Sequence, residues 1–151
     1  MTAASRTIPF CSPSNRPILA AVAGGVIEVV LAEDNDVFRQ TLELLLDVTP
    51  DMRVVASVAD GRSALEVSAN LVPDVVLMDY RLPELDGVEA TAAIRKACPS
   101  AAVVVLTASV EPEEYDALLE AGAVACVTKD RELEEIVGAI RDAAGHGAPL
   151  R

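Results

Sequence analysis

Apolar residues come in short runs along the chain, and each run is followed by a stretch where they recur every third or fourth position. "VIEVVLAE" (26–33) reads as a buried strand, because four to eight near-continuous apolar residues suit a strand covered on both faces. "DVFRQTLELLLDV" (36–48) then places Phe38, Leu42, Leu45 and Leu46 on one helical face, with Asp34, Asn35 and Asp36 as candidate N-caps. "MRVVASV" (52–58) is a second strand. Residues 61–71 form a helix with Ala64, Val67, Ser68 and Leu71 at helical spacing, closed by Pro73. "DVVLMD" (74–79) is a third strand, and the helix over 87–98 aligns Gly87, Thr91, Ile94 and Cys98. "AAVVVLTA" (101–108) is a fourth strand. A helix over 112–121 follows, with Pro112 in its first turn and Gly122 after its end. "VACVTK" (124–129) is a fifth strand, and a last helix over about 131–144 carries Leu133, Ile136, Val137, Ile140 and Ala144 on one stripe.

Five strands alternating with five helices imply an α/β fold, a doubly wound parallel sheet with helices on both faces. The flavodoxin-like strand order 2-1-3-4-5 puts strands one and three side by side at the switch point, where such sheets bind ligands beyond their carboxyl ends. Strand one ends in Glu33-Asp34, strand three in Asp79, strand four in Thr107 and strand five in Lys129. In this topology all of them open on one cleft.

Three carboxylates in one cleft repel each other, and a single lysine offsets only part of that. A hard divalent cation with oxygen ligands is the natural addition, and Mg²⁺ takes few carboxylates while keeping several waters. Such a site suits phosphoryl transfer. A metal and an ammonium neutralise developing charge, a hydroxyl holds a phosphoryl oxygen, and a carboxylate can be the nucleophile. Asp79, isolated at its strand end, is the candidate nucleophile, and Glu33-Asp34 is the candidate metal pair.

Composition narrows the function classes. Hydrophobic residues make up 52% of the 151, with no Trp and two each of Phe and Tyr, so the core is aliphatic. A net charge of −12 opposes nonspecific binding to nucleic acid or anionic lipid. No apolar run approaches the ~18–20 residues of a membrane span. The cysteines, Cys11, Cys98 and Cys126, are odd in number and lack a Cys-x-x-Cys spacing. They indicate neither a disulfide framework nor a zinc site, and they fit a reducing cytoplasm. No G-x-G-x-x-G or G-x-x-x-x-G-K-[ST] loop is present for a nucleotide. Arg81 stands where an aspartate-nucleophile phosphatase would want a second aspartate.

Four pieces together resemble the receiver domain of two-component response regulators, with wording closest to the NarL/LuxR type. They are "LAEDND" (31–36), "VVLMDYRLPELDG" (75–87), "VVVLTAS" (103–109) and "AGAVACVTKD" (121–130). The resemblance implies that Asp79 is a phosphoacceptor and that Glu33 and Asp34 bind Mg²⁺ together with the backbone carbonyl of Arg81. It makes Thr107 the switch hydroxyl and Lys129 the phosphoryl-binding lysine. It implies a sensor histidine kinase or phosphotransfer protein as partner and leaves a homodimer open. No enzymatic activity is expected beyond self-phosphorylation from acyl phosphates and autodephosphorylation. Two positions depart from the pattern: Cys126 replaces the usual aromatic, and Asp130 replaces a common proline. The first puts in doubt the usual relay to the face formed by the last strand and its flanking helices.

The receiver is expected over residues 26–145, with a tail over 146–151. Residues 1–25 hold Arg6 and Arg16, no acid and three prolines, and read as a disordered extension. An export signal there is disfavoured, because its apolar stretch from Ile18 to Ala23 is short. Three readings stay open: a stand-alone receiver, the regulatory half of a LuxR-type regulator without its DNA-binding part, and a phosphate-independent pseudo-receiver.

Overall fold

Strand β3 (Val75–Asp79) is the axis of the molecule, with all five residues buried. It pairs in parallel with β1 (Ile27–Ala32) on one side and β4 (Ala102–Thr107) on the other. Strands β2 (Met52–Val58) and β5 (Ala125–Thr128) close the edges, giving the order 2-1-3-4-5. This computed structural model describes residues 25–109 and 111–146. Apart from Gly25, the expected N-terminal extension lies outside the described residues, as do Cys11 and tail residues 147–151.

Side chains along a strand alternate between faces, and here the alternation builds two cores. Val29, Leu31, Val75, Leu77, Val104 and Leu106 face helices α1 (Asp36–Asp47) and α5 (Leu133–His146), meeting Leu42, Leu46, Ile136 and Ile140. Val30, Ala32, Val76, Met78, Val103 and Val105 face α2 (Gly61–Leu71), α3 (Gly87–Ala97) and α4 (Pro112–Ala121), meeting Ala64, Ala90, Ile94 and Leu118. Cutting a fully buried side chain such as Leu77 to alanine costs about 2–5 kcal/mol.

Polar residues set where the helices begin. Asn35 caps α1 by accepting from the Phe38 N–H at 2.9 Å, and Asp60 caps α2 through the Ser63 N–H at 2.7 Å. Asp86 and Glu89 form a reciprocal capping box on α3. These caps hold the loops at the carboxyl edge of the sheet. Two details differ from the sequence pattern. Leu71, on the expected buried stripe of α2, is 44% exposed, and the stripe ends at buried Ser68. Helix α5 starts at Leu133 and runs to His146, two residues later at each end than expected.

Candidate functional site

Glu33, Asp34 and Asp79 each offer a carboxylate oxygen within 4.8 Å of the others. Backbone geometry makes this convergence. Ala32 pairs with Met78 across β1 and β3, so the residues that follow leave the sheet side by side. Glu33 is wholly buried and Asp79 is 5% exposed, while Asp34 is exposed at the rim.

Lys129 follows β5 and closes the cluster from the other side. Its Nζ lies 2.7 Å from Glu33 Oε1 and 3.3 Å from Asp79 Oδ2. Its backbone N–H donates to the Thr107 carbonyl at 2.7 Å, tying the ends of β4 and β5 together. Burial pushes the Glu33 carboxyl above its ordinary range. Lys129 and the Asn35 N–H oppose the rise, and the Asp79 charge adds to it. Burial would lower the Lys129 ammonium, but Glu33 and Asp79 outweigh it and raise the group overall.

Backbone and side-chain donors complete the polar shell. The Asn35 N–H reaches Glu33 Oε2 at 2.9 Å, and Arg39 Nη1 donates to the Glu33 carbonyl at 2.7 Å. The Arg81 N–H lies 3.4 Å from Asp79 Oδ1. Thr107, 4% exposed, donates its hydroxyl to the Ser109 carbonyl at 2.7 Å. Four of the expected residues, Glu33, Asp34, Asp79 and Lys129, therefore meet in one cluster, and the Thr107 hydroxyl is engaged by its own loop.

The loop after Asp79 folds back tightly. The Gly87 N–H donates to the Tyr80 carbonyl at 2.7 Å, and a Cβ at position 87 would sit 2.8 Å from that oxygen. Only glycine allows this approach. An open recess of about 390 Å³, lined by Asp34, Tyr80, Arg81, Leu82, Pro83, Asp86 and Glu114, leads from solvent to the rim carboxylate.

The donor set fits a hard cation. It is all oxygen, carries three formal negative charges and opens to solvent at Asp34. The sequence pattern did not single out Arg39 as part of this shell, and it assigned Phe38 to the core alone. The Phe38 ring centroid lies 4.9 Å from Lys129 Nζ. Cys98 is buried and Cys126 is half-buried. Burial and nearby Glu114 raise the Cys126 thiol. It lines a groove of about 320 Å³ with Tyr115, Val127, Thr128, Arg131 and Glu135.

Residues 29–141 match the family described as the response regulator receiver domain. The chain is 34% identical over 124 residues to the transcriptional regulatory protein LiaR of Bacillus subtilis, covering 82% of this chain and 58% of LiaR. It is 36% identical over 116 residues to the response regulator GacA of Pseudomonas aeruginosa, covering 77% and 54% respectively. The chain thus spans little more than half the length of these curated relatives. Among solved structures, it is similar to the signal receiver domain of NarL from Mycobacterium tuberculosis, with a TM-score of 0.77 and 34% identity. That match covers 80% of this chain and 98% of the other.

Proposed function

Given that the chain belongs to the response regulator receiver family, we propose that Asp79 is its phosphoacceptor and that the carboxyl-edge cluster is its phosphorylation site. One observation carries this reading: a nearly buried carboxylate sits 3.3 Å from the Lys129 ammonium and beside two further acids. Receiver domains of this family interact with sensor histidine kinases, so the donor is a phosphohistidine or a small acyl phosphate. An Asp79 Oδ atom forms the new P–O bond, and the donor's N–P or O–P bond breaks as imidazole or carboxylate leaves.

Glu33, Asp34 and Asp79, with the Arg81 carbonyl, would hold Mg²⁺. The ion would supply charge neutralisation for the incoming phosphoryl group. Lys129 shifts its ion pairing from the carboxylates to a phosphoryl oxygen. The Thr107 hydroxyl leaves the Ser109 carbonyl and donates to another, so the loop after β4 loses one of its ties. Phosphorylation then acts by shifting a population between two arrangements of that loop. The chemistry proposed for the chain itself is self-phosphorylation from acyl phosphates and autodephosphorylation.

Incubation with acetyl phosphate and Mg²⁺ followed by intact-mass measurement tests the proposal. The parent gains one phosphoryl mass and Asp79→Asn gains none. Equal gain in both would place the acceptor elsewhere. A second reading draws on the relatives being transcriptional regulatory proteins of nearly twice the matched length: the domain is the receiver half of a transcription regulator. Reading the surrounding gene for a following DNA-binding segment decides it.

A further inference from the structure

Lysine is a compact point charge on a flexible four-carbon stem. The Lys129 side chain is 25% exposed and could turn to water. It remains over two carboxylates, and the described side chains offer one further group facing the ammonium, the ring of Phe38 at 4.9 Å. We propose that Phe38 is a positioning residue for Lys129, holding the ammonium in the phosphorylation site through the face of its ring. This rests on the reading of Asp79 as phosphoacceptor and adds a residue through which that site is set.

The contacts around Phe38 close on themselves. Glu33 Oε2 accepts from the Asn35 N–H at 2.9 Å. Asn35 Oδ1 accepts from the Phe38 N–H at 2.9 Å. The Phe38 ring faces Lys129 Nζ, and Nζ pairs with Glu33 Oε1 at 2.7 Å. The cap that starts α1 therefore also fixes where the ring stands relative to the metal-pair glutamate. A leucine would fill the same apolar position beneath β1 but would lack the negative ring face that attracts a cation. The contact also uses no directional acceptor. It leaves the ammonium's donors free to move from Glu33 and Asp79 to a phosphoryl oxygen.

The chain has two lysines, Lys96 and Lys129, which makes the contact directly readable. Proton NMR of the full chain should show the Lys129 ε-methylene displaced upfield of Lys96 by the ring current. That displacement should vanish in Phe38→Leu and persist in Phe38→Tyr. Self-phosphorylation from acetyl phosphate should slow about 3–10-fold in Phe38→Leu, the scale of one cation–π contact, and return to within about twofold of the parent in Phe38→Tyr. Should Phe38→Leu fail to fold, stepwise ring fluorination at position 38 keeps shape and weakens the ring face, and the rate should fall with each step. A parent lacking the upfield shift overturns the proposal. So does a Phe38→Leu rate within about twofold of the parent, a Phe38→Tyr rate as slow as Phe38→Leu, or a rate indifferent to fluorination. If the parent takes no phosphate, the proposed function fails instead, and the ring-current shift alone decides whether Phe38 holds Lys129.

Discussion

At the amino ends of the strands, Arg141 grips Asp51 with two hydrogen bonds of 2.7 and 2.9 Å, and Arg53 meets Glu28 at 2.6 Å. At the carboxyl ends, Glu33, Asp34 and Asp79 converge, and among the described residues Lys129 alone pairs with two of them. The first pairs are exposed on at least one side, with 49% of the Arg141 and 62% of the Arg53 side chain open to water. In the second group Glu33 is fully buried. Arginines and acids match at one edge, while negative charge accumulates at the other where water screens it least. An exposed pair contributes little to stability because solvent screens it. A buried, under-neutralised cluster is costly, and on the proposed reading an arriving cation relieves it. On the proposed reading, ion pairs on the same sheet are bystanders at one end and part of a cation and phosphoryl site at the other.

The largest effect is expected from removing the shared cation. Lys129→Met should destabilise the metal-free protein by about 2 kcal/mol, below the value for a fully buried pair because Lys129 is partly exposed. Chemical denaturation measures this. A loss no greater than that of Arg141→Met would erase the contrast between the ends.

Added Mg²⁺ should stabilise by mass action. At about tenfold over its dissociation constant the gain is roughly 1.4 kcal/mol, or several degrees in Tm. Thermal melts with and without millimolar Mg²⁺ should show the rise in the parent and its loss in Asp34→Asn. An unchanged rise in Asp34→Asn would remove the rim carboxylate from the cation site.

The smallest effect belongs to the amino end. The Arg141 hydrogen bond holds the Asp51 carboxyl below its ordinary range. A lowered carboxylate contributes stability above its unfolded pKa and loses it as the pH falls through the folded one. Arg141→Met should therefore melt within about 1–2 °C of the parent at neutral pH. The two curves should merge in acid below the ordinary aspartate range. A gap that widens in acid would reverse the sign.

The carboxyl-edge cluster was legible because each apolar run stops at its polar residue. Val75 to Met78 is buried without interruption, so Asp79 marks the end of β3 in sequence and in space. The alternation of strands with helices points to a parallel sheet, and the order 2-1-3-4-5 expected for a flavodoxin-like topology is the one the structure has. What the pattern could not show depends on side chains brought together from distant segments. Arg141 and Asp51 are 90 residues apart, and neither neighbourhood names the other. Phe38 fits an apolar helical stripe whether or not an ammonium lies over it. The turn of the Thr107 hydroxyl toward Ser109 rests on loop geometry, which hydrophobic period does not encode. Cys126 reads as core from its apolar neighbours, yet β5 is an edge strand and all four of its residues are half-buried.

Phosphorylation at Asp79 is a matter of one side chain's chemistry, and borohydride reduction reads it directly. An acyl phosphate on aspartate is reduced to homoserine at the residue that carried it. After treatment with acetyl phosphate and Mg²⁺, then borohydride and proteolysis, peptide sequencing by mass spectrometry should find homoserine at position 79. Recovery of homoserine at Glu33's neighbour Asp34, or at no aspartate while the intact protein gains phosphate, would rule out Asp79 as the phosphoacceptor.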